Sequence, residues 1–298
     1  MNKRPFIFGI IFGLLFVVAV AGGVWDNSPV QDATPETTQE PTQDAVVTDI
    51  TLDETTALFD ESITTNLNNL IAQQPGLEIA VSVIDLETGD QYNAGLADTS
   101  FKAASTAKLM TAASYLYEVQ EGRASIDQTI DGVNAVNLIK QMLEVSDNAA
   151  WDSLRNFLGD KQQSFARLAG IESFVGGDTN TLTAADQAKF LATLYEGDIL
   201  NSTLSAIIFE HMAQADAEEL IKSAMPAETV VLHKYGTLWG NLHDTALVKY
   251  RGHSFALVIF TNDPTGSIQD YAVRASIIRE IAQVVMLSFR ETTPVSDS

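Results

Sequence analysis

The sequence predicts an α/β (α+β) fold in two lobes: an antiparallel five-stranded sheet flanked by helices, plus an all-helical lobe, with the active site between them. Three observations predict it. A strand pair, Ile79 to Ile84 returning over Gln91 to Ala94 through a turn at 87–90, lies near the start of the folded region. Three strand-like runs, 230–233, 244–250 and 255–261, lie near its end. From about 126 to 200 the apolar period is helical instead, so the middle of the chain leaves a sheet that both ends share.

Each element has its own signal. An amphipathic helix carrying Leu58, Ile63, Leu67, Leu70 and Ile71 is broken by Pro75-Gly76. After the hairpin, Ser105 opens a helix through about Val119 that is apolar on most sides (Leu109, Met110, Ala113, Leu116, Tyr117), as expected of a buried central helix. Helices follow at 136–143, 149–158, 183–195 and 202–212, the third opening with Thr183 and Asp186 in capping-box spacing. Residues 170–180 are a loop of turn formers, and an amphipathic helix from 268 to about 287 closes the domain.

With 298 residues, 46% of them apolar, and no segmental repeat, the simplest organisation is one folded domain over 52–291 with a polar tail at 292–298. Net charge is −22, from 39 acidic and 17 basic residues, which argues against nucleic acid and anionic lipid as partners. The absence of cysteine excludes disulfides, thiolate metal sites and a cysteine nucleophile. Lys3 and Arg4 precede an uncharged run from Phe6 to Trp25, about the length that crosses a bilayer. Residues 1–25 therefore read as an N-terminal membrane anchor, or as a signal peptide cleaved after Ala19-Val20-Ala21. Either way the rest is extracytoplasmic, and 26–51, rich in Pro, Thr, Gln and acidic residues, is a disordered spacer.

In Phe101-Lys102-Ala103-Ala104-Ser105-Thr106-Ala107-Lys108, a hydroxyl and an amine stand three residues apart at a helix start. On a helix this spacing puts Ser105 and Lys108 on one face, as nucleophile and base. Alone the motif is weak, since S-x-x-K is expected on the order of once by chance in such a chain. Two further stretches raise its weight. Ser146-Asp147-Asn148 lies between two predicted helices, and Lys234-Tyr235-Gly236-Thr237 lies on the first strand of the second sheet segment. In isolation the first is an ordinary N-cap cluster and the second a strand end.

Together, in this order and on these supports, the three resemble the S-x-x-K, S-D-N and K-T-G signatures of the penicillin-recognising serine hydrolases. Over roughly 52 to 288 the chain resembles class A β-lactamase-like domains, with His243-Asp244 in the connection after the third motif. The resemblance implies a β-lactamase/transpeptidase-like fold and a set of roles. Ser105 would attack a carbonyl and Lys108 would take its proton, with Lys234 as a nearby cation that also pairs with a substrate carboxylate. Ser146 would relay a proton to the leaving nitrogen. Asn148, Gly236 and Thr237 would bind substrate, and the backbone N–H groups of Ser105 and Thr237 would form the oxyanion hole. Asp147 would be structural, and Trp151 and Trp239 packing or cleft rim. No cofactor is implied. The histidines lack metal-ligand spacing, so no metal is expected, and no serine lies in a G-x-S-x-G elbow.

The chain departs from that family in two places. Class A enzymes carry a deacylating glutamate within E-x-x-x-N after S-D-N. Here Glu172 is followed by Ser173-Phe174-Val175-Gly176, and Asp178 has no better support, so neither inherits the role. Tyr235 replaces the middle threonine of the third motif. Three readings follow: a hydrolase acting on β-lactams or D-alanyl peptides of peptidoglycan, expected as a monomer; a binder or sensor acylated without efficient turnover; and a non-catalytic surface domain.

Overall fold

The computed structural model describes residues 59–266 and 271–289. The anchor or signal segment, the spacer and the polar tail inferred from sequence lie outside the described residues. The strands in chain order are β1 (Glu78–Asp85), β2 (Gln91–Gly95), β3 (Ser100–Lys102), β4 (Thr129–Ile130), β5 (Val133–Asn134), β6 (Thr181–Thr183), β7 (Val230–Leu238), β8 (Asn241–Tyr250) and β9 (His253–Asn262). The helices are α1 (Ser62–Ile71), α2 (Lys108–Gln120), α3 (Ala135–Glu144), α4 (Asn148–Leu158), α5 (Lys161–Leu168), α6 (Ala184–Glu196), α7 (Ser202–Met212), α8 (Ile221–Ala224) and α9 (Tyr271–Leu287).

The sheet is five-stranded and antiparallel in the order β2-β1-β9-β8-β7, so strands from the two ends of the domain meet where β1 pairs with β9. Both faces are covered, which is why β9 is buried at nearly every position instead of alternating. One face, with Ile79, Val81, Val83, Leu257 and Ile259, packs on Ile63 and Leu67 of α1 and on Ile278, Ile281 and Val285 of α9. The other, with Ala80, Ile84, Val258 and Phe260, packs on the helical lobe, whose centre is α2. Leu109, Met110, Ala112, Ala113, Tyr115 and Leu116 of α2 are all buried, as its apolar circumference requires.

Caps set the helix starts. Asn134, Asp147, Thr183 and Asn201 have extended backbones, and each side chain accepts an N–H from the first turn of α3, α4, α6 or α7. The capping box at α6 is half formed. Thr183 Oγ1 accepts the Asp186 N–H, but the Asp186 carboxylate accepts the Ser173 N–H and thereby ties down the preceding loop.

Several expectations shift. Helix α5 occupies part of what reads as a connection between α4 and the 170–180 loop. Ser105 lies in a 3₁₀ turn, Ala104–Ala107, with α2 beginning at Lys108. His243 and Asp244 stand within β8, not in the connection before it, because the β7–β8 turn is only two residues long (Trp239, Gly240). β7 is the edge strand on the side of the Ser105 turn, which places one end of the sheet against the start of the central helix.

Candidate active site

The turn that carries Ser105 is held in an uncommon conformation. Ala104 has φ +50, a left-handed value that non-glycine residues adopt at a cost of about 1–3 kcal/mol. Asn180 clamps it: its side-chain Nδ2 donates to the Ala104 carbonyl at 3.0 Å, and its own carbonyl accepts the Ala103 N–H at 2.9 Å. In a 3₁₀ turn, side chains three residues apart eclipse, so the turn brings Ser105 and Lys108 to one edge. Ser105 is half-buried, and its hydroxyl makes no hydrogen bond among the described residues.

Lys108 is fully buried and well partnered. Its Nζ lies 2.5 Å from the Ser146 carbonyl, 3.1 Å from Ser146 Oγ and 2.7 Å from Asn148 Oδ1. These contacts explain the shape of the Ser146-Asp147-Asn148 loop. Ser146 is held at φ +58 with its carbonyl on Lys108, Asp147 caps α4 through the Ala150 N–H at 2.7 Å, and Asn148 faces the amine from the first position of the helix. Burial pushes the Lys108 pKa down to about 8, against the opposing charges of Asp147 and Asp152. A neutral amine is therefore accessible near neutral pH. In that state Nζ donates two N–H bonds, to the Ser146 carbonyl and Asn148, and can accept the Ser146 hydroxyl proton.

Lys234 comes from the edge strand. It too is fully buried, but Nζ finds no hydrogen-bond acceptor among the described residues. Its Nζ lies over the Tyr235 ring, 4.6 Å from the centroid. Opposite it on β8, Thr245 Oγ1 is likewise buried without a partner. Burial, then the charge of Lys108, push the Lys234 pKa down to about 7, with Asp244 and Asp216 opposing. Gly236 follows, where the strand passes closest to the nucleophile turn. A Cβ there would sit 2.9 Å from the Ser105 nitrogen and 3.1 Å from that of Thr106, so a side chain would force the two elements apart. Thr237 is exposed, just beyond this crossing.

The two residues after Leu242 lock the sheet. His243 accepts the Thr261 N–H at Nδ1 (3.1 Å), so its proton lies on Nε2 and is donated to the Lys102 carbonyl at 2.8 Å. Burial holds this imidazole neutral, with its pKa lowered to about 4. On the opposite face, the Asp244 carboxylate accepts from His233 Nδ1 and from the Ile221 and Thr245 N–H groups. Among the described residues no group of three or more histidines and carboxylates could hold a metal ion.

The structure thus brings Ser105, Lys108, Ser146, Asn148, Lys234 and Gly236 together, with Thr237 at the open edge. No acidic side chain among the described residues hydrogen-bonds Ser105 or Lys108. Glu172 is exposed, and Asp178 is an exposed group 4.0 Å from Arg155. Sequence reasoning missed Asn180, one polar residue in a loop of turn formers, and missed Thr111 and Gln162. Gln162 Nε2 and Trp151 Nε1 both donate to Thr111 Oγ1, at 2.7 and 2.8 Å. Trp151 and Trp239 do stand at a rim, lining a recess of about 350 Å³ with Lys102, Arg155, Asp178 and Leu238.

The profile of the Beta-lactamase enzyme family matches residues 62–289. The chain belongs to that family. Members of known structure share its fold. An ancestral class A β-lactamase superposes with a TM-score of 0.70 at 24% identity, over 76% of this chain and 100% of that one. A β-lactamase from Xanthomonas campestris gives 0.70 at 19% identity, over 76% and 97%. PBP-A gives 0.69 at 20% identity, over 76% and 95%, and a mutant of it is described as an acyl-enzyme complex with penicillin G. No curated protein matches the chain. Its kin by that family are beta-lactamase enzymes. No described helix is long and apolar enough to cross a membrane.

Proposed function

We propose that this protein forms an acyl-enzyme at Ser105 with β-lactams or D-alanyl peptides and then hydrolyses it, as an extracytoplasmic monomer tethered by its N-terminal segment. The observation that carries the reading is the pairing of a buried, hydrogen-bonded Lys108, three residues beyond Ser105, with a buried Lys234 that has no hydrogen-bond partner among the described residues. A cation enclosed without an acceptor is costly unless an anion arrives to meet it, and a substrate carboxylate is the fitting anion.

In the first half of the reaction Ser105 Oγ attacks the carbonyl carbon while neutral Lys108 takes its proton. The negative charge that develops on the oxygen is met by the Ser105 and Thr237 N–H groups; one such donor is worth about 2.7 to 4 kcal/mol of barrier. As the C–N bond breaks, Ser146 gives its hydroxyl proton to the leaving nitrogen and is reprotonated by Lys108, along the 3.1 Å contact between them. In the second half water adds to the ester, the bond to Ser105 Oγ breaks, and Ser105 recovers its proton.

A second reading, a binder that stays acylated, is favoured by one observation: among the described residues no carboxylate hydrogen-bonds Ser105 or Lys108 to activate that water. Incubation with a fluorescent penicillin, followed by intact mass, separates the readings. A transient adduct with turnover supports hydrolysis, and a persistent adduct supports the binder. Absence of any adduct, with no esterase activity, contradicts both and leaves a non-catalytic family member.

A further inference from the structure

The indole of Trp151 stands beside the buried Lys108. Its ring centroid lies 5.3 Å from Lys108 Nζ, whose polar contacts are all on Ser146 and Asn148. The ring is tethered: Nε1 donates to Thr111, three residues beyond Lys108 on α2, and buried Gln162 donates to the same hydroxyl. Arg155, one turn along α4, stacks on the indole at 4.9 Å. That arginine also engages two carboxylates, Asp152 at 3.4 Å and Asp178 at 4.0 Å, and donates to the Gly177 carbonyl at 3.3 Å. Trp151 also lines the 350 Å³ recess shared with Lys102, Asp178 and Trp239.

We propose that Trp151 is a positioning residue that sets the lifetime of the acyl-enzyme, by walling Lys108 off from the water in that recess. An ordered water needs two to four polar partners, and a ring face beside the amine supplies none. Hydrolysis needs a water placed between the ester carbon and a group that takes its proton, so the ring retards that step while leaving proton transfer from Ser105 to Lys108 intact. The inference rests on the acyl-enzyme reading and concerns only its second half.

The test is to acylate the protein with benzylpenicillin, remove free ligand, and follow loss of the adduct by intact mass. Trp151→Ala is expected to shorten the adduct half-life at least about tenfold. Trp151→Phe, which keeps a ring face without the N–H, should stay within about threefold of the parent. Added hydroxylamine should accelerate release from Trp151→Ala far more than from the parent, a response that loss of packing alone would not produce. If Trp151→Ala fails to fold, the near-isosteric Thr111→Val, which removes the ring's tether, should shorten the half-life by a smaller factor. An unchanged or longer half-life in a folded Trp151→Ala or Thr111→Val protein overturns the proposal, as does equal acceleration by Trp151→Phe and Trp151→Ala. In those cases the parent's adduct leaves the acyl-serine reading standing. A parent that forms no adduct overturns both.

Discussion

Two buried lysines stand on opposite walls of the site, and the protein treats them differently. Lys108, on the helical lobe, is met by three oxygen contacts and has its pKa lowered to about 8; Lys234, on the edge strand, finds no hydrogen-bond partner among the described residues and has its pKa lowered to about 7. A base must hold its geometry before substrate arrives, and saturation by Ser146 and Asn148 does that. An anion receptor must keep a vacant coordination sphere, at the expense of stability. The difference teaches which wall is prepared in advance and which is completed by the ligand.

That contrast can be broken experimentally. The largest effect is expected from the prepared wall. Lys108→Ala should slow acylation by roughly 10² to 10⁴, the usual worth of a positioned base, at saturating ligand in stopped-flow labelling. An unaltered rate would place the base elsewhere. Next is the crossing of the two walls. Gly236→Ala puts a methyl 2.9 Å from the Ser105 nitrogen, and the shift that relieves it should cost about 10² in acylation with the fold retained by circular dichroism.

The pH profile sharpens the comparison. Lys108 must be neutral, so the rate rises with pH through its value near 8; Lys234 must be charged, so the rate falls as pH rises through its value near 7. The observed limbs belong to the coupled pair, giving a maximum around neutrality for a carboxylate-bearing β-lactam. The methyl ester of the same β-lactam should lose the alkaline limb while keeping the acid one. Retention of both limbs would show that Lys234 does not read the carboxylate.

The smallest effect concerns stability. Lys234 has a folded-state pKa below its unfolded value of 10.5, so the unfolded chain binds more protons between about 7 and 10.5. Its contribution therefore disfavours folding below about pH 7 and is relieved as pH rises through that window. Lys234→Met should raise Tm at pH 6 by roughly 2 to 4 °C while weakening capture of carboxylate ligands. A lower Tm would mean that the amine has a stabilising partner in solution.

Much of this was legible in the sequence, for physical reasons that differ by residue. The strand runs of β1, β8 and β9 and the all-round apolarity of α2 follow from burial on both faces, which composition records directly. The three motifs were legible because acyl transfer needs those residue types at those supports. The 3₁₀ turn was not, because it depends on Ala104 being held at φ +50 by Asn180, 76 residues further along the chain. Nor was the Trp151–Thr111–Gln162 cluster, since a tryptophan in an amphipathic helix has the same local signature whether it fills a core or walls a base. The position of His243 was misjudged by the length of one turn. A two-residue loop that starts with Trp239 at φ +55 lacks the glycine or asparagine expected at a left-handed first position.

The most direct test of the central claim is peptide mapping after labelling with benzylpenicillin. The account predicts one penicilloyl group, on the peptide containing Ser105, and none in Ser105→Ala despite an unchanged fold. A label that persists in Ser105→Ala, or that maps to another residue, contradicts it.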